Sequence, residues 1–220
     1  MNIEGTVREK EEALLKLPLI QEGLLYIQEG LKKAYPKLAE ENEEVLPYHN
    51  VRHAKDVLCE ALLFALTEGK LSDHELELLA VAAIYHDAGY VEQYEENESV
   101  AVRIVSEKMQ DHSYSIVDIE RVSNAILSTR VTHKPFVQHV TDEPLGKYLA
   151  DADVSNFGRE TFDEVSKKVY AELEALGKLS EGRYRNSLDL LKEHKWHTDA
   201  AKRLYEEQKQ RNIAMLEKSL

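Results

Sequence analysis

Three short stretches of the sequence carry side chains of the types that bind metals in proteins. Two of the stretches contain histidines, one of them directly followed by an aspartate, and the third contains two aspartates. Imidazole and carboxylate groups together suit a divalent metal of intermediate softness, such as Mn²⁺, Fe²⁺, Co²⁺, Ni²⁺ or Zn²⁺. The candidate donors are His49 and His53 in "HNVRHAKDV", His86 and Asp87 in "IYHDAGY", and Asp151 and Asp153 in "LADADVSNFG".

The first stretch is predicted to be helical. Apolar residues recur at helical spacing from His49 to about Thr67, and Gly69 then ends the run. Side chains four residues apart are neighbours on the surface of a helix. We therefore expect His49 and His53 to share one helix face.

The second stretch lies at the end of another predicted helix, which is strongly apolar. Ser72 and Glu75 have the spacing of a capping box, and Gly89 is expected to end this helix just past Asp87. The Asp87 carboxylate would then lie near the depth of the core. A buried charge requires a partner, and either a metal or an arginine would serve.

The rest of the sequence predicts a single all-α domain over residues 1–220. Only nine glycines and five prolines interrupt the chain, helical periodicity recurs as far as the C-terminal residues, and no alternating strand pattern stands out. The longest stretch without a helical pattern runs from Val131 to Glu143. We expect that stretch to be a loop over a site.

The composition of the chain argues against several classes of protein, including nucleic-acid-binding and membrane-spanning proteins. A net charge of −13 over 220 residues argues against binding a nucleic-acid polymer. No apolar run approaches the ~20 residues of a membrane span, and the N-terminus is charged where a signal peptide needs an apolar core. Cys59 is the only cysteine, which excludes an intrachain disulfide and a cysteine-rich zinc site. We expect a cytoplasmic monomer or homodimer with a small-molecule partner.

The order of these motifs on a helical chain resembles the HD superfamily of metal-dependent phosphohydrolases. "YHNVRHAKDV" is similar to the first motif of the cyclic-nucleotide phosphodiesterases, which share the helical core, and "DVSN" is similar to their last metal-ligand motif. "HDAGY", "ENES", "AILSTRVTH", "DADVSNFG" and "GRYR" resemble, in that order, a bacterial branch of predicted HD phosphohydrolases. The motifs span about Tyr48 to Arg185. The resemblance implies a helical HD-domain bundle with helical extensions at both ends.

The resemblance also implies a set of metal ligands. His53, His86 and Asp87 would bind one or two divalent ions, with Mg²⁺ added to the metals above, and Asp87 would take part in catalysis by bridging a second ion.

The last ligand would be Asp153 or, alternatively, Asp151. Asp153 fits the family motif better because Asn156 follows it at the expected distance, where it would support the ligand. Asp151 would then lie behind the ligands or cap a helix.

Catalytic roles follow from the same resemblance. His49 occupies the position at which the phosphodiesterases keep a general acid, and an ordinary pKa of about 6.5 suits proton donation; the alternative is a histidine that only hydrogen-bonds behind the metal. His133 in "AILSTRVTH" is a further catalytic candidate. Glu98 in "ENES" would orient a metal-bound histidine or a water, or else act only as a favourable acid at a helix N-terminus.

Negative charge on a phosphoryl group needs nearby cations. The candidate phosphate-binding residues are Arg52, Arg130, Lys134, Arg183 and Arg185.

The sequence therefore predicts a metal-dependent hydrolase that cleaves a phosphoester bond in a small molecule, such as a nucleotide or a related phosphate, with a metal-activated water. One alternative is a ligand-binding or sensor module that keeps the metal without turnover. A second is a di-iron oxygenase, which needs more His and Asp ligands than can be placed here.

Overall fold

The structure, a computed structural model, describes residues 3–42, 44–133, 136–179 and 183–219, with the backbone alone at positions 133, 136 and 183–185. Within these residues the chain is overwhelmingly helical, which confirms the predicted all-α class. The α-helices are α1 (Ile3–Leu14), α2 (Pro18–Ala34), α3 (Pro36–Glu41), α4 (Val51–Glu68), α5 (Asp73–Tyr85), α6 (Asn97–Asp111), α7 (Ile116–Leu127), α8 (Pro144–Asp153), α9 (Phe162–Ala175), α10 (Arg183–Glu193) and α11 (Asp199–Ser219). The remaining elements are the 3-10 helices Ala88–Val91 and Ser155–Gly158 and the strands β1 (Val131–His133) and β2 (Phe136–Gln138).

Helix α5 is the centre of the bundle. Its residues from Leu78 to Tyr85 are all buried, so it is apolar on every side, and a helix of that kind packs with neighbours all round. It lies against α2, α4, α7 and α8. The Tyr85 hydroxyl at its end donates a hydrogen bond to the Leu19 carbonyl at 3.0 Å. This packing fixes the C-terminal end of α5, and therefore His86 and Asp87, inside the protein.

Helix α4 begins at Val51 rather than at His49. The Asn50 side chain accepts hydrogen bonds from the backbone N–H groups of Arg52 at 2.8 Å and His53 at 3.2 Å. Asparagine is a favoured residue at this capping position. The prediction that His49 and His53 share a helix face is therefore wrong, because His49 lies in the chain before the cap.

Helix α5 has the predicted start but not the predicted end. Ser72 and Glu75 form both hydrogen bonds of the capping box. The helix ends at Tyr85, and Gly89 does not terminate it but lies within the 3-10 helix that follows. A Cβ on Gly89 would come within 1.9 Å of the Asn97 carbonyl oxygen, so glycine allows this turn to lie against the start of α6.

The stretch that was expected to be a loop contains a β-hairpin. Val131 pairs with Gln138 and Thr132 with Val137 in an antiparallel register. The strands are three residues long, which is too short to produce a recognisable alternation of apolar and polar residues. The Gln138 side chain donates to the Ala150 carbonyl at 2.9 Å and so attaches the hairpin to α8.

The buried apolar side chains form two clusters. The larger one extends from α1 to α8 and includes Ala200 and Ala201 at the start of α11. The smaller one joins α9, α10 and the second half of α11 and consists of Phe162, Leu188, Leu191, Ile213 and Leu216. Across the described part of the chain, no helix combines the length and the apolar character needed to cross a membrane.

Candidate metal centre

Four of the predicted metal ligands meet where three helices converge. His53 lies in the first turn of α4, His86 and Asp87 directly follow α5, and Asp153 is the last residue of α8. Helices α4, α5 and α8 pack against one another, which brings these positions together. The four residues form the His–Asp cluster.

Both histidines of the cluster direct their Nε2 atoms at the two carboxylates. His86 Nε2 lies 3.1 Å from Asp87 Oδ2 and 3.4 Å from Asp153 Oδ1. His53 Nε2 lies 3.5 Å and 3.2 Å from the same two oxygens. Ligand atoms of His53, His86 and Asp153 all lie within 4.8 Å of one another, the one group of this kind found among the described residues. A single cation could contact them together.

The cluster fits a divalent metal. The Nδ1 atom of His86 donates to the Ala83 carbonyl at 2.8 Å, so Nε2, on the side of the carboxylates, is the nitrogen that would bind a metal once the ring is neutral. His86 Nε2 and Asp87 Oδ2 are both buried, and neither has a hydrogen-bond partner within the described residues. Unpaired buried polar atoms are rare because they are costly. A cation bound between imidazole and carboxylate groups would satisfy both atoms.

The ionisation of the cluster is set by its own charges. Burial raises the pKa of Asp153, but the hydrogen bond with His53 and the close contacts with both histidines outweigh burial and hold it far below its usual range. Burial lowers the pKa of His86, but the neighbouring carboxylates of Asp87 and Asp153 outweigh burial and raise it well above its usual range. Without a metal, both shifts favour an ionised Asp153 beside a protonated His86, and a metal bound to His86 would displace that proton.

Asp151 does not face the cluster. Its carboxylate accepts hydrogen bonds of 2.8–3.1 Å from the backbone N–H groups of His197 and Thr198 and from the Thr198 hydroxyl. Burial raises its pKa to about 6, although these hydrogen bonds act in the other direction. Of the two aspartates considered as the last ligand, the structure brings Asp153 to the histidines, and Asp151 caps the start of α11.

His49 reaches the edge of the cluster from the segment before α4. Its ring centroid lies 5.8 Å from that of His53, and the ring stacks on Tyr90 at 4.3 Å. The Nε2 atom is 3.4 Å from the Tyr90 hydroxyl, and the Nδ1 atom contacts a carboxylate oxygen of Glu172. Burial lowers the pKa of His49, but the charges of Glu172 and Asp87 outweigh burial, so the net shift is upward.

Glu172, on α9, was not identified from the sequence. One of its oxygens accepts from the backbone N–H groups of Tyr48 at 2.9 Å and His49 at 3.0 Å, and the other contacts His49 Nδ1 and accepts from the Tyr94 hydroxyl at 3.2 Å. The residue is fully buried. Burial raises the pKa of Glu172, but the charge and hydrogen bonds of His49 outweigh burial and lower that pKa below its usual value. The carboxylate is therefore ionised. We refer to these two residues as the His49–Glu172 pair.

Glu98 and Arg130 lie beside each other near Asp87. Arg130 Nη2 donates to the Ser99 hydroxyl at 2.6 Å, and its Nε is 4.0 Å from a Glu98 oxygen. Burial raises the pKa of Glu98, and the charge of Asp87 adds to that shift. Within the described part of the chain, Glu98 forms no hydrogen bond with either cluster histidine. The Ala83 carbonyl, not Glu98, holds the ring of His86, and the role expected of Glu98 toward a water stays a prediction.

A cavity of about 260 Å³ opens beside His53 and Asp153. Arg52 and Asn156 are among the residues that line it. The Arg52 side chain is 69% exposed and pairs with Glu44 at 2.6 Å. Lys134 lies outside the described residues, as do the side chains of three other candidates, namely His133, Arg183 and Arg185.

A protein-family model for the HD domain matches residues 50–157 of this sequence. The chain therefore contains an HD domain. The match contains the whole His–Asp cluster, whereas both members of the His49–Glu172 pair lie outside it. HD domains are in general metal-dependent phosphohydrolases. A search of curated proteins finds no match to the chain.

Proposed function

We propose that this HD-domain protein hydrolyses a phosphoester bond in a small phosphorylated molecule, with nucleotides as the first substrate class to test. The observation that carries the proposal is the His–Asp cluster, in which His86 Nε2 and Asp87 Oδ2 are buried without hydrogen-bond partners among the described residues. Groups of this kind are found at sites that bind a cation. The HD family match supports the same reaction class.

His53, His86, Asp87 and Asp153 would hold one or two divalent ions. A bound metal would supply an activated water and polarise a phosphoryl oxygen. The mixture of imidazole and carboxylate donors favours Mn²⁺, Fe²⁺, Co²⁺, Ni²⁺ or Zn²⁺ over Mg²⁺, which prefers an all-oxygen environment.

His49 is the proposed general acid. Glu172 contacts Nδ1 and holds the ring in place, so Nε2 is the nitrogen that would donate a proton to the departing oxygen. An ionised carboxylate on Nδ1 also favours the protonated ring, which is the form that can donate. A module that only binds a ligand has no need for this arrangement, and the His49–Glu172 pair therefore favours the enzyme over the sensor alternative.

Arg52 and Arg130 are the proposed phosphate-binding residues within the described part of the chain. Arg52 pairs with Glu44 and Arg130 with Ser99 and Glu98, and exposed ion pairs of this kind contribute only about 0–1 kcal/mol. Either arginine could therefore turn toward a substrate at little cost. Three further phosphate-binding candidates stay proposals, namely Lys134, Arg183 and Arg185. His133 stays a proposed catalytic residue.

The test is metal analysis of protein purified without chelator, followed by a phosphate-release screen over nucleotides and sugar phosphates. The His86→Ala variant is the control, because it removes a metal donor at the same site. We expect bound metal and phosphate release in the wild type and neither in the variant. Stoichiometric metal without turnover on any substrate would favour the ligand-binding alternative. Stoichiometric metal in the variant would contradict the cluster assignment.

A further inference from the structure

Asp153 lies between two segments of chain that are both attached to α11. We propose that α11 positions Asp153 for metal binding, and that Asn212 is the positioning residue on this helix. The inference rests on the proposed metal site. It concerns an element outside the part of the chain matched by the HD family model.

The segment before Asp153 is attached through Asp151. This carboxylate accepts from the backbone N–H groups of His197 and Thr198, which immediately precede α11, at 2.8–3.1 Å. Asp151 is fully buried, so these bonds are shielded from water. They fix the last turn of α8 against the beginning of α11.

The segment after Asp153 is attached through Asn212, in the second half of α11. Its Nδ2 atom donates to the carbonyl oxygens of Phe157 and Arg159, both at 2.9 Å, and its Oδ1 accepts from Gln208 at 3.0 Å. Asn212 is buried. Both N–H donors of the Asn212 side chain therefore bind the backbone that follows Asp153.

The same segment touches the α11 backbone directly. A Cβ added to Gly158 would lie 2.2 Å from the Cβ of Tyr205 and 2.7 Å from its carbonyl oxygen. Real Cβ atoms do not approach other atoms so closely, so any larger residue would push the 3-10 helix Ser155–Gly158 away from α11. Glycine is required here by this close approach.

The position of Asp153 depends on the backbone around it because α8 ends at this residue and the chain turns into the 3-10 helix Ser155–Gly158. The direction of its carboxylate depends on the chain on both sides, and α11 holds both sides. Groups that orient metal ligands typically change metal affinity by about 10–100-fold when they are altered. A positioning role for Asn212 should therefore appear in metal affinity and in ligand geometry, beyond any loss of stability.

The experiment measures Co²⁺ affinity by chelator competition, together with the d–d absorption of the bound ion, on the full chain. The variants are Asn212→Leu, which removes both donor bonds and keeps the branched shape of the side chain, and Gly158→Ala, which pushes the segment away from α11. The control is Ile213→Ala, which weakens the small apolar cluster on the neighbouring residue of α11 without touching these carbonyls. We expect Co²⁺ affinity about 10–100-fold weaker and an altered spectrum in both variants, and a wild-type spectrum in the control.

Affinities and spectra equal to wild type in both variants would overturn the inference and leave α11 a purely structural helix. A wild-type protein that binds no metal would overturn the proposed function as well, so the two failures are distinguishable. Hydrogen exchange on the wild type gives a second test that needs no variant. Because coupling is reciprocal, metal should slow amide exchange in α11; exchange there that is indifferent to metal would contradict the proposal.

Discussion

The His–Asp cluster and the His49–Glu172 pair lie side by side but are built from different parts of the protein. The cluster comes from the ends of α4, α5 and α8, all inside the HD match. The pair joins a residue before α4 to one on α9, 123 positions later, and both lie outside that match. The difference suggests that the HD core supplies the metal site, while the C-terminal helices supply the environment of the proposed acid.

Removing donors from the His–Asp cluster should have the largest effect on metal binding and activity. We expect His86→Ala combined with Asp87→Ala to eliminate bound metal and phosphate release, because two of the four donors are lost. Metal content after purification without chelator measures the effect. The His49–Glu172 pair should remain intact in this variant, and wild-type turnover would show that the cluster is not the reaction centre.

The proposed acid should give the next largest effect. His49→Gln should keep the metal and lower turnover by about 10²–10⁴-fold, because the departing oxygen would lack its proton donor. The loss should shrink on nitrophenyl phosphoesters, whose leaving group needs little protonation. Loss of metal from this variant would make His49 a ligand, and unchanged turnover on an alkyl phosphoester would leave it a structural histidine.

The Glu172→Gln variant tests the His49–Glu172 pair by itself, because it changes no residue of the His–Asp cluster. The charge of Glu172 raises the pKa of His49, so its removal should lower that pKa. A general acid is active below its pKa, and the alkaline limb of the pH–rate profile should therefore move to lower pH. We expect a rate loss smaller than the roughly 10²–10⁴-fold loss of His49→Gln, because the proton donor itself remains. An unchanged profile with unchanged metal content would exclude Glu172 from the mechanism.

Metal affinity itself should depend on pH. The pKa of His86 is raised well above its usual range, so the metal-free site holds a proton that the metal must displace. Affinity should fall by about tenfold for each pH unit below that pKa. Calorimetric titration in two buffers of different ionisation enthalpy would count the protons released, and binding without proton release would contradict the assigned ionisation.

Replacing the two aspartates of "DADV" one at a time should have smaller effects, which distinguish the role of Asp151 from that of Asp153. Asp153→Asn should weaken metal binding more than Asp151→Asn, because only Asp153 faces the histidines. Asp151→Asn should lower the midpoint of thermal unfolding more, since it alters the buried hydrogen bonds at the start of α11. A metal titration and a melting curve on each variant decide it, and the reverse order would exchange the two roles.

Local sequence patterns determined the helices of the core and the residue types of the His–Asp cluster. Apolar periodicity, the capping box at Ser72 and the order of the His and Asp motifs depend on neighbours a few positions apart, so they can be read from the chain. The same local reasoning misplaced His49 on α4, because an asparagine that caps a helix is easily taken for its second residue. It also missed the hairpin, whose strands are too short to show a period.

Only the tertiary structure decided which acidic residues meet the histidines. Asp151 is buried and Asp153 is largely so, and the packing of α8 against α4 and α5 directs Asp153 to the cluster and Asp151 to Thr198 before α11. Glu172 is one of 41 acidic residues, and nothing in its own helix sets it apart. Periodicity indicates that a side chain faces the interior. The group it meets there depends on contacts between residues far apart in sequence, which a single sequence does not encode in any local pattern.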